Sequence, residues 1–269
     1  MVEATLNYLA DMAEKPFFYL YDPPPGTARR NTRPDRRSVA IRDARELVPG
    51  PSLDLEGFLL APHETSVESL YDPNAVRERY YREIEELVRK VTGAARVVAF
   101  DHNVRCAPMA ERRENAAQPP VRFPHNDYTE SSAPQRVRDL FPAEEAETLL
   151  QHRFSVVNVW KPIRGRVEES PLAVCDARTI HPDDLVTTDL RYRDRVGEVY
   201  SLRFNPAHRW FYYSRMQAGE AMLLKCFDSD AGRARFTAHT AFDDPTSPPD
   251  APPRESIEVR TLAFFAEGS

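Results

Sequence analysis

From residue 121 onward the chain reads as short apolar segments separated by turn residues, a spacing that packed β-sheets satisfy and a helical bundle does not. The strand candidates are Phe154 to Trp160, Leu172 to Asp176, Glu198 to Phe204, Trp210 to Ser214, Ala221 to Phe227 and Ser256 to Phe265. One strong helix candidate, Pro142 to Arg153, precedes them. The expected fold is mainly β with flanking helices, built on a cupin-like jelly-roll core over 121–269 that hosts a ligand in its mouth. Residues 1–120 are expected to supply N-terminal flanking elements of the same domain, 1–269, since no internal repeat or separate second domain is visible.

Within that flanking segment, one helix is well marked. Asp72-Pro73-Asn74 is a start signal, Val76, Tyr80, Ile84, Leu87, Val88 and Val91 recur near helical spacing, and Thr92-Gly93 is a stop. Ala95 to Asp101 reads as a strand and residues 106–120 as a polar loop. Residues 22–37 carry four prolines and five arginines without apolar periodicity, which predicts an exposed irregular arm.

The chemistry-bearing residues lie in the second half. His125-Asn126-Asp127 is followed by His239, and two histidines with one carboxylate can fill one face of an iron octahedron, leaving the opposite face open. His208 competes with His239 as the distal ligand, although only His239 follows the Gly219-Glu-Ala-Met-Leu-Leu strand and precedes the arginines. Arg254 and Arg260 share one strand face if the segment is extended without a bulge. A triad followed by strand-borne arginines suggests iron plus a dicarboxylate, because a guanidinium can meet a carboxylate with two parallel hydrogen bonds. Arg254 is the first choice for that contact and Arg260 the second, with a structural ion pair as its other role. Asn158 and Trp160 could line the same pocket. The aromatic run Trp210 to Tyr213 should alternate, half in the core and half available to wall a substrate pocket.

A net charge of -6 gives no general attraction to nucleic acid or anionic membrane, which favours a small-molecule partner. Cys106, Cys175 and Cys226 are widely spaced and odd in number, pointing to a reducing compartment. With no basic, apolar leader and no stretch of transmembrane length, the expected location is cytoplasmic.

Several stretches resemble the CmcJ/AsaB-like family of hydroxylases and desaturases of secondary metabolism. They are Phe-Asp101-His-Asn-Val-Arg105, His125-Asn-Asp127-Tyr-Thr, Asn158-Val-Trp160-Lys-Pro-Ile, Ser170-Pro-Leu-Ala-Val-Cys-Asp176, Asn205-Pro-Ala-His208-Arg-Trp-Phe-Tyr, Leu224-Lys-Cys-Phe-Asp228-Ser and His239-Thr-Ala-Phe-Asp-Asp-Pro. The resemblance runs from Leu6 to Phe265. It implies a double-stranded β-helix core, Fe(II) at His125, Asp127 and His239, 2-oxoglutarate as cosubstrate, O2 as oxidant, and a natural product or its precursor as substrate. A jelly-roll metal enzyme of another type and a noncatalytic small-molecule binder are the alternatives. Pocket specificity is expected on loops 22–37, 106–120 and 177–197.

Overall fold

The computed structural model describes residues 1–266. Its first strands are β1 (Val2–Leu9), β2 (Phe17–Tyr19), β3 (Pro34–Asp43) and β4 (Phe58–Pro62). A helical stretch follows, α1 (Pro73–Ala75) running through a π-helical turn at Val76–Tyr80 into α2 (Tyr81–Thr92). Next come β5 (Arg96–Arg105), α3 (Ala107–Glu111), β6 (His125–Asn126), α4 (Ser132–Leu140) and α5 (Ala143–Leu150). The remaining strands are β7 (Phe154–Pro162), β8 (Leu172–Cys175), β9 (Leu185–Arg191), β10 (Val196–Leu202), β11 (Trp210–Tyr212), β12 (Glu220–Asp228), β13 (His239–Ala241) and β14 (Ser256–Phe264).

They form two sheets, one of nine strands in the order β1-β3-β11-β8-β13-β6-β10-β9-β2 and one of five in the order β4-β12-β7-β14-β5. The fold is mainly β, with the sheets packed as a jelly roll. Residues 1–120 contribute to both: β1, β2 and β3 extend the larger sheet, while β4 and β5 close the two edges of the smaller.

Strand alternation separates two cores. Every residue of β7 is buried, because Val156 and Trp160 face the space between the sheets while Val157 and Val159 face α2. A strand covered on both sides becomes a continuous apolar run, as this one is. On β12, Met222 and Leu224 enter the inter-sheet core and Ala221 and Leu223 the helix-side core. The helix completes that second layer with Val76, Tyr80, Ile84 and Val88, all fully buried. Asp72 caps its start by accepting from the Asn74 amide at 2.9 Å. Gly93 ends it in the left-handed region, with φ 73°. The start, the stop and the buried face coincide with the expected ones; the π-helical turn has no signature in the apolar spacing.

Other elements depart from expectation for local reasons. Pro34 to Arg37 belong to β3 and not to an irregular arm, since β3 pairs from Pro34 to Ile41 with β1, whose Val2, Ala4, Leu6 and Tyr8 supply an alternating buried face. Pro134 sits in the first turn of α4, where its missing N–H costs no intrahelical bond, so a segment that reads as a turn is helical. The 177–197 segment contains β9, whose Val186, Thr187 and Thr188 suit a half-buried strand next to β10. All four aromatics from Trp210 to Tyr213 are buried, Trp210 and Tyr212 outside the larger sheet and Phe211 and Tyr213 between the sheets, so none walls an open pocket.

Ile84→Ala should lower the unfolding free energy by about 2–5 kcal/mol, the usual cost of emptying a well-packed aliphatic site. Urea denaturation measures this, and a loss under about 1 kcal/mol would mean that α2 is not anchored through that face.

Candidate metal centre

The larger sheet brings the histidines together by register. His125 on β6 and His239 on β13 are directly paired across neighbouring antiparallel strands, which puts both side chains on one face. Their ring centroids are 4.5 Å apart. Asp127 follows two residues after His125, and one ligand atom from each of the three side chains falls within 4.8 Å of the others.

The tautomers are set by the backbone. His125 Nδ1 lies 2.8 Å from the Phe123 carbonyl oxygen and His239 Nδ1 lies 3.1 Å from that of Thr237. Each Nδ1–H donates to its carbonyl, so each Nε2 is left with a free lone pair, the form a metal requires. Both Nε2 atoms face Asp127 Oδ1, at 3.4 Å for His125 and 4.0 Å for His239. Burial, reinforced by the neighbouring His125, pushes His239 down to about 4, which keeps it neutral at physiological pH.

Asp127 is divided between its two oxygens. Oδ2 accepts from Arg260 Nε at 2.9 Å and from Asn158 Nδ2 at 2.8 Å, leaving Oδ1 toward the histidines. Burial alone would raise this carboxyl, but the Arg260 charge and the histidines outweigh it and hold it well below the usual carboxylate range. The donors present, two neutral imidazoles and one ionised carboxylate oxygen, fit a divalent first-row cation with open positions, and Fe(II) in particular.

Beside the triad lies a small cavity lined by His125, His239, Trp160, Arg105, Arg254 and Glu258. Arg254 is 4% exposed and its Nε has no hydrogen-bond partner. One Nη donates to the Ser170 carbonyl, and the guanidinium lies 5.4 Å from the centroid of the Trp160 ring. Burial, with the charge of Arg105 close by, pushes this guanidinium down to about 9. A carboxylate entering the cavity would relieve that cost. At about 20 Å³ the space holds roughly one water, so a dicarboxylate must displace side chains to enter.

Most sequence-derived candidates can now be placed. Arg254 reaches the cavity from the coil two residues before β14, so the two arginines do not share one continuous strand. Arg260 has its guanidinium engaged by Asp127, by Asp101 at 2.8 Å and by Glu258 at 3.2 Å, the ion-pair arrangement. Trp160 lines the cavity, whereas Asn158 turns to Asp127. His208 lies outside the cluster: it is buried, bonded through Nε2 to Asp184 at 3.1 Å and stacked on Tyr8. Arg105 was visible in the sequence only as part of a motif, with nothing to mark it as a cavity residue.

A larger cavity of about 430 Å³ contains none of these residues. Its arginines are already paired, Arg178 with Asp176 and Glu56, Arg233 with Asp54 and Asp230, and Arg235 with Glu130. Size alone does not make it the reactive site, because its charged groups are neutralised and it holds no converging lone pairs.

A family model described as an oxidoreductase/YMDC permease-like domain matches residues 6–264. Among the described residues no helix is long and apolar enough to cross a membrane. The chain is 36% identical over 258 residues to the Fe(II)/2-oxoglutarate-dependent dioxygenase nvfI of Aspergillus novofumigatus, covering 92% of this chain and 90% of that one. It is 31% identical to the hydroxylase/desaturase efuI of Hormonema carpetanum, covering 99% and 96%. A solved structure of the iron and alpha-ketoglutarate-dependent endoperoxidase NvfI superimposes with a TM-score of 0.88 at 33% identity, covering 98% of both chains.

Asn158→Ala should weaken Fe(II) binding by about 10- to 100-fold, since it removes one of two donors that orient Asp127. Equilibrium titration of the metal-free protein under anaerobic conditions reads this, and unchanged affinity would mean that Arg260 alone fixes the carboxylate.

Proposed function

The chain belongs to the hydroxylase/desaturase family of Fe(II)/2-oxoglutarate-dependent oxygenases, and on that premise we propose that His125, Asp127 and His239 hold its iron and Arg254 its cosubstrate. The observation that carries the ligand assignment is the convergence of two backbone-fixed Nε2 atoms on the one free oxygen of Asp127. For the cosubstrate it is the buried Arg254 guanidinium with an unpaired Nε in the adjoining cavity. The proposed substrate is a small-molecule secondary metabolite or its precursor, hydroxylated or desaturated while 2-oxoglutarate is converted to succinate. A cytoplasmic location fits the three buried, unpaired cysteines.

When bound, iron, 2-oxoglutarate and O2 together supply the oxidising power to remove hydrogen from an unactivated carbon. The chain supplies charge and position. Asp127 contributes one negative charge and the histidines none, so the ligand set leaves a ferrous ion with an excess positive charge that favours an anionic chelator. Arg254 would meet the distal carboxylate with its planar fork. Trp160 offers that guanidinium a cation–π contact, and the burial of His239 and Arg254 would keep bulk water from the cosubstrate side.

Anaerobic addition of Fe(II) and 2-oxoglutarate should produce the weak visible charge-transfer band of a chelated complex in wild type and in His208→Ala, and no band in His239→Ala. Absence of the band in wild type, with iron binding shown separately, would sink the cosubstrate reading. With iron, O2 and 2-oxoglutarate all present succinate should form, and omitting any one of them should abolish it.

A further inference from the structure

Arg105 is the last residue of β5, and its register partner on β14 is Ser256, two residues from Arg254. It therefore enters the cavity beside the metal centre from the neighbouring strand, and it lines the same space as Arg254, His125 and His239. Among the described residues neither Arg105 nor Arg254 forms an ion pair with a carboxylate. Arg105 Nη1 donates only to neutral oxygens, the Gln118 side chain at 3.3 Å and the Pro119 carbonyl at 3.0 Å. Glu258, the one carboxylate lining the cavity, is turned toward Arg260 at 3.2 Å. Asp127 is committed to Arg260, Asn158 and the histidines.

Two guanidiniums thus line one small space, Arg254 buried and Arg105 half-buried, and neither is paired with the single carboxylate there, Glu258. Like charges placed together in a poorly solvated site repel, and a fold retains such a pair where a ligand carries the missing negative charge. The unpaired Nε of Arg254, on a side chain 4% exposed, marks a hydrogen bond that the protein itself does not make. We propose that Arg105 and Arg254 form a two-guanidinium clamp on the distal carboxylate of 2-oxoglutarate. This rests on the cosubstrate reading given above and adds a residue from the N-terminal flanking segment to the site. Two forks on one carboxylate fill more of its lone-pair positions than one arginine can, so the clamp selects a 2-oxo acid that carries a second carboxylate.

The test compares 2-oxoglutarate with 2-oxobutanoate, which chelates a metal through the same two groups but lacks the distal carboxylate. Each is titrated into the Fe(II)-loaded protein without oxygen, and its dissociation constant is read from the charge-transfer band. Wild type should prefer 2-oxoglutarate. Arg105→Gln and Arg254→Gln should each weaken 2-oxoglutarate by at least about tenfold and leave 2-oxobutanoate unchanged, as expected for a lost charged hydrogen bond. Arg105→Lys, which keeps the charge and lacks the fork, should fall between wild type and Arg105→Gln and serves if the glutamine variant does not fold.

Equal weakening of both acids by Arg105→Gln would overturn the clamp, since Arg105 would then act on the chelating end or on the site as a whole. Unchanged 2-oxoglutarate affinity in Arg105→Gln, with a loss in Arg254→Gln, would also overturn it and leave the cosubstrate reading intact. If wild type gives no band with either acid, the cosubstrate reading itself fails. Metal-free protein offers an independent readout: succinate should raise the melting temperature of wild type and not of either glutamine variant.

Discussion

The division of Asp127 between two partners is the interaction on which the site depends. Its position is fixed by the larger sheet, immediately after β6, while both groups that hold Oδ2 come from the smaller one, Arg260 on β14 and Asn158 on β7. Arg260 and Asn158 are themselves register partners, so the two donors approach from adjacent positions on adjacent strands. One carboxylate thereby ties the sheets together and sets the direction of its free oxygen. A buried ion pair of this kind is a poor source of net stability, because desolvation offsets most of the attraction, but removing either partner leaves an uncompensated buried charge. Its benefit is orientation.

Orientation also explains why the histidines need so little local structure. β6 has only two residues and β13 only three, too short to be rigid alone. They are held by neighbours: β6 lies between β13 and β10, and β13 between β6 and β8. Asn126 adds side-chain bonds to the carbonyls of Tyr128 and Cys226, and its oxygen accepts from the Thr237 amide. The residue between the two ligands thus links the first half of the metal site to the approach to His239. The sequence reading assigned it no role, since an asparagine between two metal-ligand candidates has no signature of its own.

What the sequence revealed depended on whether the signal was local. The α2 face, its Asp72 cap and its Gly93 stop were legible because cap, period and terminator lie within one segment. The His-x-Asp pair was legible for the same reason. His239 over His208 rested on strand order, and the structure gives the physical ground: only His239 is in register with His125, while His208 is consumed by Asp184 and Tyr8. Roles that depend on a partner far along the chain stayed hidden. Asn158 and Trp160 looked equivalent as alternate residues on one strand face, yet one turns to Asp127 and the other to the cavity. Arg105 lies 149 positions before Arg254, and no spacing rule connects them.

The choice between the two arginines shows how charge pairing decides a role that position could not. Arg260 is closer to the metal centre and its attraction to Asp127 and Glu258 overcomes burial, holding its pKa well above the usual range for the group. Drawing it away to bind a cosubstrate would expose Asp127 Oδ2 to loss of its strongest donor, and the oxygen aimed at the histidines would lose its reference. Arg254 has the opposite balance: burial is the largest influence, Arg105 adds repulsion, and Glu169 and Glu258 offset them only in part. An anion gains most where the protein has left positive charge unmet, which is the ground on which Arg254 rather than Arg260 is proposed for the cosubstrate. The same reasoning extends to Arg105, whose burial also depresses its pKa, with Glu258 and Asp127 in partial opposition. With one arginine bound to its own carboxylate and two without one, the proposed assignment separates the task of orienting a metal ligand from that of recognising a carboxylate.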